Sequence, residues 1–332
     1  MGRAWLLLVV SLAVILLACD LFTNGIEWVG KRLRLGEGAV GSVLAAVGTC
    51  MPETMVALLA IVFGEASGRG DDIGIGAILG APLMLSTLAF AVTGTAVLLF
   101  SRSGRRRADM LVSHRVFGRD LRYFFIVFSL AAAASFLPAN ALRYLAALGL
   151  IALYVDYGRR TFADRRHVES DEDLSPLRLG RRWPDPPAAL IAVQVIGGVA
   201  LLVVGAKLFV SQIEVVARGL GAPVLLLSLV ITPIATELPE KFNSVLWVRQ
   251  RKDTLAIGNI SGAMVFQSSI PTAIGIAFTR WELDERALAC IVVALAATFG
   301  LWIEMTWRKR LSPWVLLAGA PMYGGYLWWV FR

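Results

Sequence analysis

Two short phrases carry the residues of this chain best able to do chemistry. The first reads Gly48-Thr49-Cys50-Met51-Pro52-Glu53 and the second Ala235-Thr236-Glu237-Leu238-Pro239-Glu240. Each sets a carboxylate and a proline inside a long apolar run, where a helix facing hydrocarbon has use for neither. A charged side chain near the bilayer centre costs about 3 kcal/mol even on the lenient insertion scale, so two at matching places ask for a compensating ion. The prolines add oxygen. Pro52 and Pro239 have no N–H to give to the carbonyls of Gly48 and Ala235, and their rings push a helix open there. Glu53 and Glu240, with hydroxyl and carbonyl oxygens of Thr49 and Thr236 beside them, make an all-oxygen set that suits a hard cation. Two negative charges match Ca²⁺ better than a single Na⁺. The plainer alternative, a kinking proline beside a glutamate paired with a buried cation, leaves the matched placement unexplained.

The elements that position these residues follow from composition. Of 332 residues 57% are hydrophobic and 17% charged, against a charged fraction of about 25% in soluble domains. The chain reads as one all-α polytopic membrane domain. Apolar runs near the roughly 20 residues of a spanning helix give ten transmembrane helices: Ala4–Asn24, Val40–Phe63, Ile73–Phe100, Leu121–Leu137, Leu142–Tyr157, Ala188–Val216, Val224–Val248, Ile257–Phe278, Ala287–Trp307 and Trp314–Phe331. With strict alternation, 23 of the 32 lysines and arginines fall in loops on one side, 7 on the other, and Lys207 and Lys241 within spans. Cytoplasmic loops hold such an excess, which places both termini outside and the protein in the cell membrane. The net charge of +8 is then explained by topology, with lipid and inorganic cations as partners and no nucleic acid.

Sliding the chain by 187 residues aligns Asp20–Glu53 with Lys207–Glu240 without a gap, with identities that include Phe22/Phe209, Glu27/Glu214, Thr49/Thr236, Pro52/Pro239 and Glu53/Glu240. Past the next loop the offset becomes 182, so that Gly76 meets Gly258 and Gly80 meets Gly262. The copies begin five spans apart, an odd number, and therefore enter the membrane in opposite directions. The expected architecture is two inverted-topology five-helix repeats, 1–157 and 188–332, joined by a cytoplasmic linker, 158–187. Secondary transporters use this plan and bind their ions where the repeats meet. Gly74, Gly76, Gly80, Gly258 and Gly262 suit either close approach to opened helices or ordinary small-residue packing.

Other features read as structural. Cys19, Cys50 and Cys290 lie in apolar runs and serve as small packing residues, with no resident metal or cofactor implied. His114 and His167 fall in solvated loops, which leaves the deep carboxylates without a nucleophile or histidine partner and argues against an enzyme. Glu169-Ser170-Asp171-Glu172-Asp173 lacks the alternating ligands and central glycine of an EF-hand loop and belongs to a solvated linker. Met1–Cys19 resembles a signal peptide with a lipoprotein-like Leu16-Leu17-Ala18-Cys19, but the repeat includes it, so it is retained as a helix. Tyr326, Trp328, Trp329 and Phe331 form an interfacial aromatic belt. Asp20 and Lys207, at matching places in the repeats, either pair across the dyad or face loop ends.

The Gly-Thr-x-x-Pro-Glu phrase followed by a helix with Gly-x-x-x-Gly, present twice in inverted halves, resembles the cation/calcium antiporter superfamily, especially its prokaryotic sodium/calcium exchanger branch. The resemblance is strongest over 41–91 and 228–275, which look like the two alpha repeats of that family. It implies exchange of Ca²⁺ for Na⁺ or H⁺ by alternating access, with Glu53 and Glu240 binding Ca²⁺ and Thr49 and Thr236 assisting. The family usually has Gly-Asn-x-x-Gly-Ser followed by Asn or Asp after each phrase. Here the copies read Gly76-Ala77-Ile78-Leu79-Gly80-Ala81-Pro82 and Gly258-Asn259-Ile260-Ser261-Gly262-Ala263-Met264, so Pro82 and Met264 stand where polar ligands are expected. Glu237 replaces the usual serine. It adds a third carboxylate, whose crowding could bind a proton as counter-ion, or it pairs with Lys241 four residues on. The losses weaken the case for sodium sites and motivate a second reading, a non-transporting relative acting as membrane scaffold or ion sensor.

Overall fold

Hydrocarbon has no water to satisfy backbone N–H and C=O groups, so a spanning segment must close its hydrogen bonds within itself. The computed structural model describes residues 2–32, 50–63, 70–102, 107, 109–163, 175–221, 229, 244–245, 247–249, 251 and 253–332. Its elements are α1 (Gly2–Arg32), α2 (Met51–Phe63), α3 (Gly70–Met84), α4 (Phe90–Arg102), α5 (His114–Ala134), α6 (Asn140–Ala163), α7 (Ala188–Leu220), α8 (Asp253–Phe278), α9 (Glu285–Arg308), α10 (Pro313–Leu317) and α11 (Gly319–Val330). Among the described residues, six helical stretches are long and apolar enough to cross a membrane: 2–22, 73–102, 140–161, 188–220, 256–278 and 285–308. They coincide with the first, third, fifth, sixth, eighth and ninth expected spans. α5 lies at the fourth expected position, and α10 with α11 at the tenth, outside those six. Only the end of the second is described, in α2, and the seventh lies almost wholly outside the described residues.

Small residues set the closest helix pairs. A Cβ added at Gly25 would lie 2.7 Å from Val195, one at Gly198 3.1 Å from Phe22, and one at Gly205 2.9 Å from Ile15. Residue numbers fall along α1 as they rise along α7, so the two helices run antiparallel with their backbones nearly touching. They share an apolar cluster of their own with Ile15, Ala18, Leu202, Phe209 and Ile213, which reaches the other helices through Leu59, Ala60 and Ile73. A second, larger cluster joins α2 to α6 with α8, α9 and the C-terminal helices. Trp281, fully buried at the α8–α9 corner with φ of 47°, donates its Nε1–H to the Ala131 carbonyl at 3.0 Å.

Several expectations change at element ends. α5 begins at His114 rather than Leu121, because the Ser113 hydroxyl accepts from the Val116 N–H at 3.5 Å and starts the helix early. His114 is therefore a helical residue, not a loop one; His167 lies outside the described residues. The linker is not solvated throughout. Leu177 is fully buried, the Ser175 carbonyl accepts from Trp28 Nε1 at 3.1 Å, and the Arg178 N–H donates to Asn24 Oδ1 at 3.0 Å. The acidic run 169–173 lies outside the described residues. Asp20 is held by Arg178, at 2.8 and 2.9 Å, and not by Lys207. In the C-terminal belt Trp328, Trp329 and Phe331 are exposed as expected, but Tyr326 is buried and donates to the Arg286 carbonyl at 3.1 Å.

A π turn, Leu85–Ala89, joins α3 to α4 and presses backbone onto the start of α11. A Cβ added at Gly319 would fall 2.8 Å from both the Thr87 carbonyl carbon and its Cα. Backbone cannot swing aside as a side chain can, so Gly319→Ala should lower stability by about 1–3 kcal/mol. Gly300→Ala, where an added Cβ has open space, should be nearly neutral. Thermal unfolding of both variants in detergent checks this, and equal melting would contradict the packing described.

Candidate cation site

Of the five candidate ligands, the structure describes the backbone of one. Glu53 is the third residue of α2, and Cys50 immediately before that helix is in a turn and buried. Thr49, Thr236, Glu237 and Glu240 lie outside the described residues, as does the Glu53 side chain. Gly48, whose carbonyl Pro52 is expected to leave open, lies outside the described residues. α2 begins at Met51, so Pro52 occupies the first turn, where its missing N–H would have had no helical partner. Glu53 thereby sits where the partial positive charge of a helix N-terminus favours an anion. The Cys50 carbonyl accepts both the N–H of Thr54, at 3.2 Å, and its hydroxyl, at 2.8 Å. Among the described residues no group of three or more His, Cys, Asp or Glu converges to hold a metal ion.

The helices flanking the phrases are described in full. α3 packs closely on α2: a Cβ at Gly74 would lie 3.3 Å from the Ala57 carbonyl, which favours the close-approach reading at that glycine. Gly258 has no such neighbour among the described residues, and an added Cβ at Gly262 would meet only the Tyr157 hydroxyl, at 3.6 Å. Pro82 is inside α3 and buried, and Met264 is fully buried in α8. The two positions where the family's pattern has oxygen are thus filled by apolar packing.

One turn further on, the structure adds polar residues that the sequence comparison did not reach. Ser86 donates to the Leu83 carbonyl at 3.1 Å, and Thr87 donates to the same oxygen. At the 182-residue offset, Ser268 donates to the Met264 carbonyl at 2.6 Å and Ser269 to that of Val265 at 2.5 Å. All four hydroxyl residues are buried, and Leu83 and Val265 are themselves repeat partners. Extending the alignment past Gly80/Gly262 would have found them. α8 also repairs its own proline: Pro271 cannot donate to the Gln267 carbonyl, and the Thr272 hydroxyl does so instead at 3.1 Å.

A second missed feature is a buried carboxylate. Asp120 is 2% exposed on α5. It accepts from the Ser261 hydroxyl of α8 at 2.6 Å and from the Tyr157 hydroxyl of α6 at 3.1 Å. Arg119 lies 3.7 Å from it and 5.8 Å from the Tyr157 ring centroid. A carboxylate withdrawn from water is stable only when charge and hydrogen bonds both answer it. This group therefore fixes α8, the helix after the second phrase, to α5 and α6. It escaped notice because the early start of α5 turned two presumed loop residues into buried helical ones.

An all-helical, polytopic membrane protein with polar residues gathered between its helices is the class this arrangement defines. A profile described as sodium/calcium exchanger protein matches residues 3–157 and 190–332, and the chain belongs to that family. It is 25% identical over 304 residues to CaxA of Alkalimonas amylolytica, a candidate antiporter by name, covering 90% of this chain and 88% of that protein. To inner membrane protein YrbG of Escherichia coli K12 it is 24% identical over 331 residues, covering 98% and 94%. Among solved structures, the H⁺/Ca²⁺ exchanger CAX superposes with a TM-score of 0.73 at 15% identity, over 99% of this chain and 86% of that one. The sodium-calcium exchanger NCX_Mj, soaked with 2.5 mM Na⁺ and 10 mM Sr²⁺, gives 0.60 at 17% identity, over 97% and 96%. These likenesses place the fold among multi-pass cation exchangers.

Removing Asp120 takes this carboxylate from beside the buried Arg119 and the acceptor from two buried hydroxyls. Asp120→Ala should cost about 3 kcal/mol, and Ser261→Ala about 1 kcal/mol, in unfolding of the detergent-solubilised protein. Wild-type stability in Asp120→Ala would refute the role given to this carboxylate.

Proposed function

We propose that this protein is a secondary antiporter that exchanges Ca²⁺, or a similar divalent cation, for H⁺ or Na⁺ by alternating access. The observation that carries the proposal is the pair of Thr-x-x-Pro-Glu phrases at equivalent places in two halves of a chain that belongs throughout to an exchanger family. Glu53 and Glu240 are assigned as the bridging carboxylates, Thr49 and Thr236 as oxygen donors, and Glu237 as a third acidic group beside them. The position of Glu53 in the first turn of α2 supports the assignment, since an opened helix end supplies unpaired backbone groups next to the charge.

Proton coupling is the better supported counter-transport. A sodium pathway needs several neutral oxygens, and the buried Pro82 and Met264 offer none from their side chains. Three acidic residues crowded together can instead exchange a divalent cation for protons, because proximity of like charges favours the protonated form once the cation leaves. The α1–α7 pair is suited to be the moving body. Its apolar cluster is separate from the main one and meets α2 and α3 through Leu59, Ala60 and Ile73. Both termini are assigned to the non-cytoplasmic side, on the 23 to 7 division of basic loop residues.

Inside-out membrane vesicles test the whole reading. An imposed pH gradient should drive Ca²⁺ uptake more strongly than an imposed Na⁺ gradient, and uptake under neither would refute antiport. Glu53→Gln and Glu240→Gln should each weaken apparent Ca²⁺ affinity tenfold or more, about 1.4 kcal/mol. Full transport in either variant would overturn the site.

A further inference from the structure

We propose that a groove between α5 and α9, at the end of the bundle where the basic loops lie, is a binding site for one anionic phospholipid. The groove has a volume of about 610 Å³, with His114, Gly118, Arg122, Phe125, Phe299 and Trp302 among its lining residues. The inference does not depend on the transported ion.

The polar end is built around a glycine. Arg122 folds back along its helix and donates its Nε–H to the Gly118 carbonyl at 3.2 Å, which leaves the outer edge of the guanidinium directed away from the backbone. From the preceding turn, His114 Nδ1 lies 4.0 Å from where a Gly118 Cβ would stand. Two nitrogen-bearing side chains from successive turns thus flank a residue with no side chain, and all three line the groove.

Arg122 is the arginine that lines the groove. On the same basic side, Arg160 pairs with Asp156 at 2.9 Å, Arg178 with Asp20 at 2.8 Å, Arg308 with Glu304 at 3.4 Å and Arg310 with Asp109 at 3.5 Å. Arg122 is exposed and makes no ion pair among the described residues. A guanidinium facing the lipid at headgroup depth is best neutralised by the lipid itself, an interaction worth about 1 kcal/mol per basic residue.

Deeper in the groove the walls turn apolar and aromatic. Phe125 meets Phe299 edge-on at 6.4 Å, and Phe299 stacks on Trp302 at 5.8 Å. Ile126 is 52% exposed and Phe299 50% exposed, so this surface faces acyl chains. A cationic seat at the interface continuous with an apolar channel below it has the polarity profile of a phospholipid, and the bidentate geometry of arginine matches a phosphodiester.

The test uses the purified full-length protein in nanodiscs made from phosphatidylcholine with a minor fraction of phosphatidylglycerol or cardiolipin, with retained lipid measured by native mass spectrometry. Wild type should retain anionic lipid selectively. Arg122→Gln should lose this selectivity by about fivefold, and Gly118→Leu, which keeps every charge and fills the seat, should lose it as well. Arg308→Gln, which removes an arginine already paired with Glu304, should leave it unchanged. Arg122→Lys should retain part of it. Unaltered selectivity in both Arg122→Gln and Gly118→Leu overturns the proposal. Full displacement of the lipid by millimolar inorganic phosphate also overturns it, because the site would then recognise the phosphate alone.

Discussion

Because hydrocarbon supplies no hydrogen bonds, each polar atom carried into it must be answered from within the protein. This chain meets the demand mostly inside single helices. Thr93, Thr95 and Thr298 return their hydroxyls to the carbonyls of Ala89, Ala91 and Ala294. Ser86 and Thr87 share one oxygen, Ser268 and Ser269 return to the carbonyls of Met264 and Val265, and Thr272 covers the carbonyl that Pro271 leaves open. Polar side chains satisfied in this way ask nothing of neighbouring helices, which are then free to meet through close-fitting small residues.

That is the contact seen wherever helices approach most closely. Between inserted helices the hydrophobic effect contributes little, since lipid tails are as apolar as leucine side chains. Contact area gained by bringing backbones together therefore counts for more than in water. Gly25, Gly198 and Gly205 do this for α1 and α7, Gly74 for α3 on α2, and Gly319 for the π turn. The few polar bonds that do cross between helices are correspondingly informative, because each specifies a partner where packing alone would tolerate several.

Much of this was legible in the sequence. Hydropathy, basic-loop asymmetry and the repeat led to an all-helical polytopic bundle, and the apolar runs marked most spans closely. Residue type and spacing also nominate the paired glutamates, whose side chains lie outside the described residues. What stayed hidden depends on burial, which a single sequence shows poorly for charged and polar residues. Arg119 and Asp120 read as loop because charges near the end of an apolar run normally belong to water, and only the cap at Ser113 draws them into the helix. Tyr326 looked like belt because an aromatic residue beside two tryptophans has the same composition whether it faces lipid or the core. Residues 175–187 looked like linker because polar segments dock through backbone groups, such as the Ser175 carbonyl, that leave no mark on residue type. The π turn was likewise invisible, since Leu85–Ala89 has ordinary helical composition.

Two contacts join residues at matching positions of the two expected repeats. Leu79 and Ser261 are partners at the 182-residue offset. The Leu79 carbonyl on α3 accepts from the Cys290 thiol of α9, at 3.3 Å, while the Ser261 hydroxyl on α8 donates to Asp120 of α5. α5 carries the fourth span of the first half and α9 the fourth of the second, so in each case a fourth helix grips the third helix of the opposite half at the same register position. The grip is not equal, however. One side rests on a weak thiol donor to a backbone oxygen, the other on a buried carboxylate with an arginine and two hydroxyls around it. The helix after the second phrase is therefore held to α5 and α6 by charged and hydroxyl groups, whereas the helix after the first meets α9 through a thiol and packs against α2 at Gly74.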